Sequence, residues 1–261
     1  MSYIFRVDGR IMAEGLWVPD SGSYRPFATS EDVTYYVATD GSDEIGDGSV
    51  DKPWATLQHV IDQLPKIINH TVTIQIQDGT YAWTGGVDIV GFSGSGVLII
   101  QGNTADRTAV QIKGNFAAGG TYEGVITVKY VNIGQFVIRY LTIDNDGTNS
   151  INGIFVAGCS GLVFIYTCVV QDFSVSGRNG IFINTSPNTV VQSCDLSNNY
   201  RGLLVSTTTY CYARDNTSTT TNATYGYYVN QAAELGYSGT TATGSIADTY
   251  VETYNGAELR P

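Results

Sequence analysis

Five aspartates in the second half of the chain, Asp144, Asp146, Asp172, Asp195 and Asp215, are the residues best suited to chemistry. Two carboxyl groups about 5 to 9.5 Å apart cleave a glycosidic bond, one acting as acid and the other as nucleophile or base. Aspartates at the ends of strand-like runs have a plainer use as well, because their side chains close turns and form ladders. Elimination beside a sugar carboxylate would instead need a base, with cations or a metal to hold that carboxylate. The chain has only His59 and His70, both in or just after a helical stretch, and isolated arginines at 139, 178, 201 and 214. Hydrolysis is therefore the better fit of the two enzymatic chemistries.

Other reactive types point to less. The loop DGSDEIGDG from Asp40 offers Asp40, Asp43, Glu44 and Asp47 as oxygen ligands, but the EF-hand order, with a bidentate acid at the twelfth place followed by a helix of the right kind, is absent. It reads as a solvated acidic turn, and no metal or cofactor is expected. Cys159, Cys168, Cys194 and Cys211 form no C-x-x-C pair and lie in apolar or Thr-rich runs, which suits free buried thiols, with a disulfide as the alternative. Eighteen tyrosines provide faces that stack on sugar rings and tips that hydrogen-bond; Tyr140, Tyr166, Tyr212 and Tyr228 are candidate glycan contacts. Tyrosine also serves packing and subunit interfaces.

What positions these side chains is a repeat. Five segments open with Gly and continue with strand formers: GVITV at Gly124, GIFVA at Gly153, GIFIN at Gly180, GLLVS at Gly202 and GYYVN at Gly226. A second series interleaves with them: FVIRYLTIDN from Phe136, LVFIYTCVVQD from Leu162, TVVQSCDLSNN from Thr189 and YCYARDNTSTT from Tyr210. Two series with one period mean that each unit contributes at least two strands and is one coil of a solenoid. A lone coil cannot hide its inward side chains; stacking at about 4.8 Å pairs the backbone and continues the core. Parallel crossovers are right-handed, so the expected fold is all-β, a right-handed parallel β-helix. Alignment of the second series puts Asp144 over Gln171 and Ser197, Asn145 over Asp172 and Asn198, and Leu141 over Cys168 and Cys194. In WATLQHVIDQLPKII, Trp54, Leu57, Val60, Ile61 and Leu64 fall at helical spacing between Pro53 and Pro65, the pattern of an N-terminal capping helix. Near the end, AEL recurs at Ala233 and Ala257 and marks one further coil.

Composition narrows the partners. The chain is 43% hydrophobic and 14% charged, enough for a packed core, and its net charge of −11 repels nucleic acid and anionic lipid. No run approaches the roughly 18 apolar residues of a membrane span, and the first residues do not form a secretion signal.

The run YYVATDGSDEIGDGSVDKPWATLQHVIDQLPKIINHTVTIQIQDGTY, Tyr35 to Tyr81, resembles the opening of pectin-lyase-like β-helix proteins of bacteriophage tails and appendages. The later Thr/Asn/Gly-rich units resemble their degenerate coils, so that the likeness covers residues 33 to 257. It implies an attachment arm at 1–32, a cap strand, loop and helix at 33–69, and a β-helix at 70–261. It implies a virion structural protein, tail fibre, spike, appendage or decoration, made in the host cytoplasm and displayed on the particle surface. The expected partners are further copies of the chain, a trimer first, other virion proteins through residues 1–32 and the C-terminal coil at 245–261, and surface polysaccharide. Related β-helices also act as polysaccharide depolymerases, which is the alternative function.

Overall fold

The computed structural model describes residues 5–7, 10–12, 15–17, 24–83, 85–114, 123–145, 152–207, 209–231, 233–244, 247–251 and 257–260. Two short antiparallel pairs come first, β1 (Phe5–Val7) with β2 (Arg10–Met12) and β3 (Gly15–Trp17) with β4 (Tyr24–Pro26). Then β5 (Val33–Val37) and α1 (Leu57–Gln63) lead into the coils. The first three coils are β6 (Thr71–Ile76), β7 (Gly79–Tyr81) and β8 (Val87–Val90); β9 (Val97–Gln101), β10 (Val110–Gly114) and β11 (Gly124–Lys129); and β12 (Gln135–Arg139), β13 (Thr142–Asn145) and β14 (Asn152–Ala157). Next is β15 (Leu162–Tyr166), β16 (Val169–Gln171) and β17 (Asn179–Asn184). The later coils are β18 (Thr189–Gln192) with β19 (Arg201–Ser206), β20 (Tyr210–Arg214) with β21 (Tyr225–Val229), β22 (Glu234–Ser238) with β23 (Ala247–Val251), and β24 (Glu258–Arg260).

Equivalent strands pair in parallel into three sheets, of nine strands (β5 to β24), four strands (β7, β10, β13, β16) and seven strands (β8 to β23). The fold is a right-handed parallel β-helix. Each full coil therefore has three strands. The Gly-led series lies in the seven-stranded sheet, and the second series runs through the nine-stranded sheet, its members from Phe136 and Leu162 going on to the four-stranded one. Two starting points in that second series are displaced by one residue: Phe136 pairs with Val163, and Thr189 with Cys211. Asp144 does lie beside Gln171, and Glu234 and Leu235 pair with Glu258 and Leu259 as the repeated AEL implies.

Alternation sends every second side chain inward. Ile74, Ile100, Ile138, Ile165, Val191 and Ala213 form one buried column of the nine-stranded sheet. Burying such an aliphatic side chain stabilises the fold by about 1.5–3 kcal/mol. Leu141, Cys168 and Cys194 are buried at successive levels, and all four cysteines are free thiols.

The corners use left-handed backbone. Tyr140 and Thr167 turn the chain from the nine-stranded to the four-stranded sheet, and Ser193 and Asp215 stand at the equivalent corners of later coils, all with φ between 50° and 56°. Tyr130, Thr185, Thr207 and Gln231, with Gly91 and Gly158, do the same after the seven-stranded sheet. Asparagines tie one corner to the next: Asn199 Oδ1 accepts from Phe173 N (3.1 Å), its Nδ2 donates to the Val170 carbonyl (2.9 Å), and Asn222 Oδ1 accepts from Asn199 N (2.9 Å). Two of the glycines that open the Gly-led segments, Gly180 and Gly202, face this stack. A Cβ on Gly180 would lie 2.6 Å from Asn199 Nδ2, and one on Gly202 would lie 2.6 Å from the Gly226 carbonyl.

Helix α1 buries Leu57, Val60 and Ile61 in the core, with Trp54 and Leu64 beside them. Thr56 is its N-cap, accepting from His59 N at 3.2 Å. Leu64, the residue before Pro65, has left the helix with ψ 142°, as steric conflict with the proline ring requires.

Candidate functional site

The outer face of the four-stranded sheet carries the first cluster. Lys113, Asp144 and Gln171 are register partners on β10, β13 and β16. Lys113 Nζ is 3.9 Å from the Asp144 carboxylate, whose side chain keeps 16% exposure. At the following corner Asp172, with φ 69°, accepts from Asn198 Nδ2 at 2.6 Å. Burial pushes the Asp144 carboxyl up to about 6, helped by a hydrogen bond to the Asp172 carboxylate and by its negative charge; Lys113 and Gln171 act in the opposite direction. One oxygen, Asp144 Oδ1, has no donor nearby. The negative charge of Asp172 thus favours the protonated form of Asp144. Glycosidase pairs stand about 5 Å or more apart, which admits the sugar carbon or a water between them.

The remaining acids are otherwise engaged. Asp195, on the same sheet face, receives short hydrogen bonds from the Ser197 and Thr219 hydroxyls and one from Thr219 N at 3.1 Å. Asp215 stands at a left-handed corner, 3.1 Å from Arg214 Nε. Asp146 lies outside the described residues. The structure therefore brings together one pair from the five. In the acidic loop, Asp43 Oδ1 accepts from Ala55 N (2.8 Å) and Thr56 N (3.0 Å) and Oδ2 from the Thr56 hydroxyl (2.6 Å), so its oxygens hold the start of α1. Asp47 accepts from Ser49 N at 3.0 Å.

A second cluster occupies the outer face of the nine-stranded sheet. Gln75, Gln101, Arg139 and Tyr166 are successive register partners. Gln101 Nε2 donates to Gln75 Oε1 (2.7 Å), Arg139 Nε donates to Gln101 Oε1 (2.7 Å), and Arg139 Nη1 donates to the Tyr166 hydroxyl. The guanidinium carbon lies 5.6 Å from the Tyr140 ring and 5.7 Å from the Tyr166 ring, and the two rings meet edge to face at 5.6 Å. Beside this row an open groove of about 480 Å³ is lined by Gln75, Gln77, Asp78, Asn103 and Thr104, with Asn103 Nδ2 donating to the Asp78 carboxylate at 2.9 Å. A fixed cation, two aromatic faces and a polar groove can bind a polar ring compound.

Of the four candidate tyrosines, Tyr140 and Tyr166 belong to this cluster. Tyr212 is on the same sheet face farther along, its hydroxyl 2.8 Å from Ser238 Oγ. Tyr228 is on the seven-stranded sheet, its ring 4.4 Å from the Arg201 guanidinium carbon. Sequence reasoning missed Gln75, Gln101 and the part played by Arg139. The signal available was their equivalent place in VTIQI, VLIIQ and FVIRY, which appears only when the early coils are aligned with the later ones.

No family model matches the chain, and no curated protein matches it by sequence. Among solved structures, pectin methylesterase from carrot is similar over 87% of this chain and 88% of its own, at 16% identity and a TM-score of 0.46. Likeness at that level says nothing about chemistry or substrate.

Proposed function

We propose that this chain is a rigid, non-catalytic β-helix of a bacteriophage particle, a tail fibre, spike, appendage or decoration protein, that contacts host-surface glycan. The observation that carries the glycan reading is the Arg139 guanidinium fixed between Gln101 and the Tyr140 and Tyr166 rings beside the groove at Asp78 and Asn103. Support for the phage setting is the resemblance of Tyr35–Tyr81 to the opening of phage β-helix proteins. Residues 1–32 and the C-terminal coil at 245–261, parts of which lie outside the described residues, are the proposed contacts to other virion proteins.

The test is titration calorimetry against surface polysaccharides and their oligosaccharides. Arg139→Ala is expected to weaken binding at least tenfold, with the melting temperature changed by no more than a few degrees. Binding that ignores both Arg139→Ala and Tyr140→Ala would reject the site. Electron microscopy of whole particles labelled with an antibody to this chain tests the setting.

A polysaccharide hydrolase is the second reading. It is favoured by one observation, the Asp144 carboxyl that keeps its proton to about pH 6, as a general acid must. New reducing ends produced by the native chain and abolished in Asp144→Asn would establish it over the binding reading.

A further inference from the structure

An acidic chain should find a carboxylate for most of its cations, and Lys113, Lys129, Arg214 and Arg260 each meet one. Arg107 and Arg139 meet none, but they donate hydrogen bonds to the Ser193 carbonyl, to Gln101 and to the Tyr166 hydroxyl. Arg178 and Arg201 have neither. Among the described residues their guanidinium groups make no ion pair and no hydrogen bond, and both Nε atoms are covered without an acceptor. Both residues stay part-exposed.

The fold sets these two cations side by side. Arg178 follows the exposed turn at 174–177, its N–H donating to the Val175 carbonyl at 3.0 Å, and directly precedes β17. Arg201 opens β19, the next strand of the seven-stranded sheet, and its N–H donates to the Arg178 carbonyl at 3.2 Å. Strands about 4.8 Å apart thus bring like charges together, an arrangement that weakens a sheet. The Arg201 guanidinium carbon lies 4.4 Å from the Tyr228 ring and 5.1 Å from the Tyr200 ring. Tyr227 fills the core, so by alternation Tyr228 and the guanidinium on it belong to the outer face. Stacking on tyrosine accounts for Arg201 alone, and the covered donors and the doubled charge are costs that stacking does not require. A guanidinium fork pairs with a carboxylate or a phosphate through two parallel hydrogen bonds, and two forks together suit one compact oxyanion. A nucleic-acid backbone, whose charge extends far beyond the pair, is repelled by the net charge of −11.

We infer that Arg178 and Arg201 form a binding site for a single oxyanion group, a carboxylate or a phosphate. Tyr200 and Tyr228 hold the Arg201 fork, and the turn before β17 presents Arg178 beside it. The site is independent of the Arg139 groove, which belongs to the nine-stranded sheet.

Thermal melting of the full chain tests this, in about 50 mM inorganic phosphate, D-glucuronate or D-glucose, with ionic strength matched by sodium chloride. A ligand of the folded chain raises its melting temperature, and a rise of about 3 °C or more is expected from phosphate or glucuronate, with none from glucose. The anion that gives the larger rise identifies the group the site prefers. Arg178→Gln and Arg201→Gln should each remove most of that rise, whereas Arg214→Gln, at an arginine already paired with Asp215, should keep it. A second measurement needs no variant: phenylglyoxal labelling of the native chain, read by peptide mass spectrometry. The effective anion should slow labelling of Arg178 and Arg201 by about threefold or more and leave Arg214 unchanged. No rise from either anion, a rise that survives in both glutamine variants, or labelling of Arg178 and Arg201 that the anion does not slow would overturn the inference.

Discussion

Asp144 is a carboxyl whose neighbours favour its protonated form. Its folded value, about 6, lies above the ordinary 3.8, so the folded chain binds this proton more tightly than the unfolded one. The resulting stability is complete below about pH 4 and is lost as pH rises through about 6. Asp144→Asn replaces the carboxyl with an amide that stays neutral beside Asp172 at every pH. The variant is expected to be more stable than the native chain at pH 7.5, by about 1 kcal/mol after allowance for solvent screening, and the gain should vanish by pH 4. Urea midpoints at the two pH values check this. Tyr81 makes a second case: its buried hydroxyl donates to the Gln77 carbonyl at 2.8 Å, and burial, with Asp40 and Asp78 nearby, raises it to about 12. Tyr81→Phe should cost about 1–2 kcal/mol, measured by denaturant unfolding, and add no pH dependence below pH 9.

At the scale of elements, the corners decide the shape. Thr167 is β-branched with φ 55°, a conformation that costs such a residue about 1–2 kcal/mol. Glycine removes that strain but loses about 0.5–1 kcal/mol to unfolded-chain entropy. Thr167→Gly is therefore expected to leave the melting temperature unchanged or raise it slightly. Asn199→Ala acts in the opposite sense: it strips the buried Phe173 N–H of its acceptor and the Val170 carbonyl of its donor, at a cost of about 2–4 kcal/mol. Thermal melts of the two variants side by side should separate by at least 5 °C. The asparagine stack is also why the Gly-led series was so easily read. At Gly180 and Gly202 a side chain would strike that stack, and at Gly124 and Gly153 it would strike other close neighbours, so glycine marks the period.

For the whole molecule, stability passes from coil to coil through nearest neighbours. Val163 pairs with Thr189, so deletion of residues 163–188 removes one coil and brings Thr189 into the place of Val163. That variant is expected to fold, to keep a β-type circular dichroism spectrum and to unfold cooperatively at a somewhat lower temperature. Deletion of 163–187 leaves one residue too many, turns the following strand over and should yield insoluble protein. Expression and melting of the pair would show whether register alone governs the stack. The cap works at the same scale, because α1 covers one end of the apolar core with Leu57, Val60 and Ile61.

Sequence alone determined the coil, its parallel stacking, the capping helix and the placing of Asp144 beside Gln171, because these follow from local chemistry repeated at a period: apolar alternation, turn residues and prolines. The third strand of the first four coils was hidden. Tyr140, Thr167, Ser193 and Asp215 turn the chain in the middle of unbroken strand-like runs, and their types give no hint of left-handed backbone. Only tertiary structure decided that burial and Asp172 favour the protonated form of Asp144 while Asp195 and Asp215 are tied elsewhere, and that Gln75, Gln101, Arg139 and Tyr166 form one row. The reason is physical: lateral contact between coils depends on register to the single residue and on which way each corner turns, and both are set by the packing of neighbours many residues away in the chain.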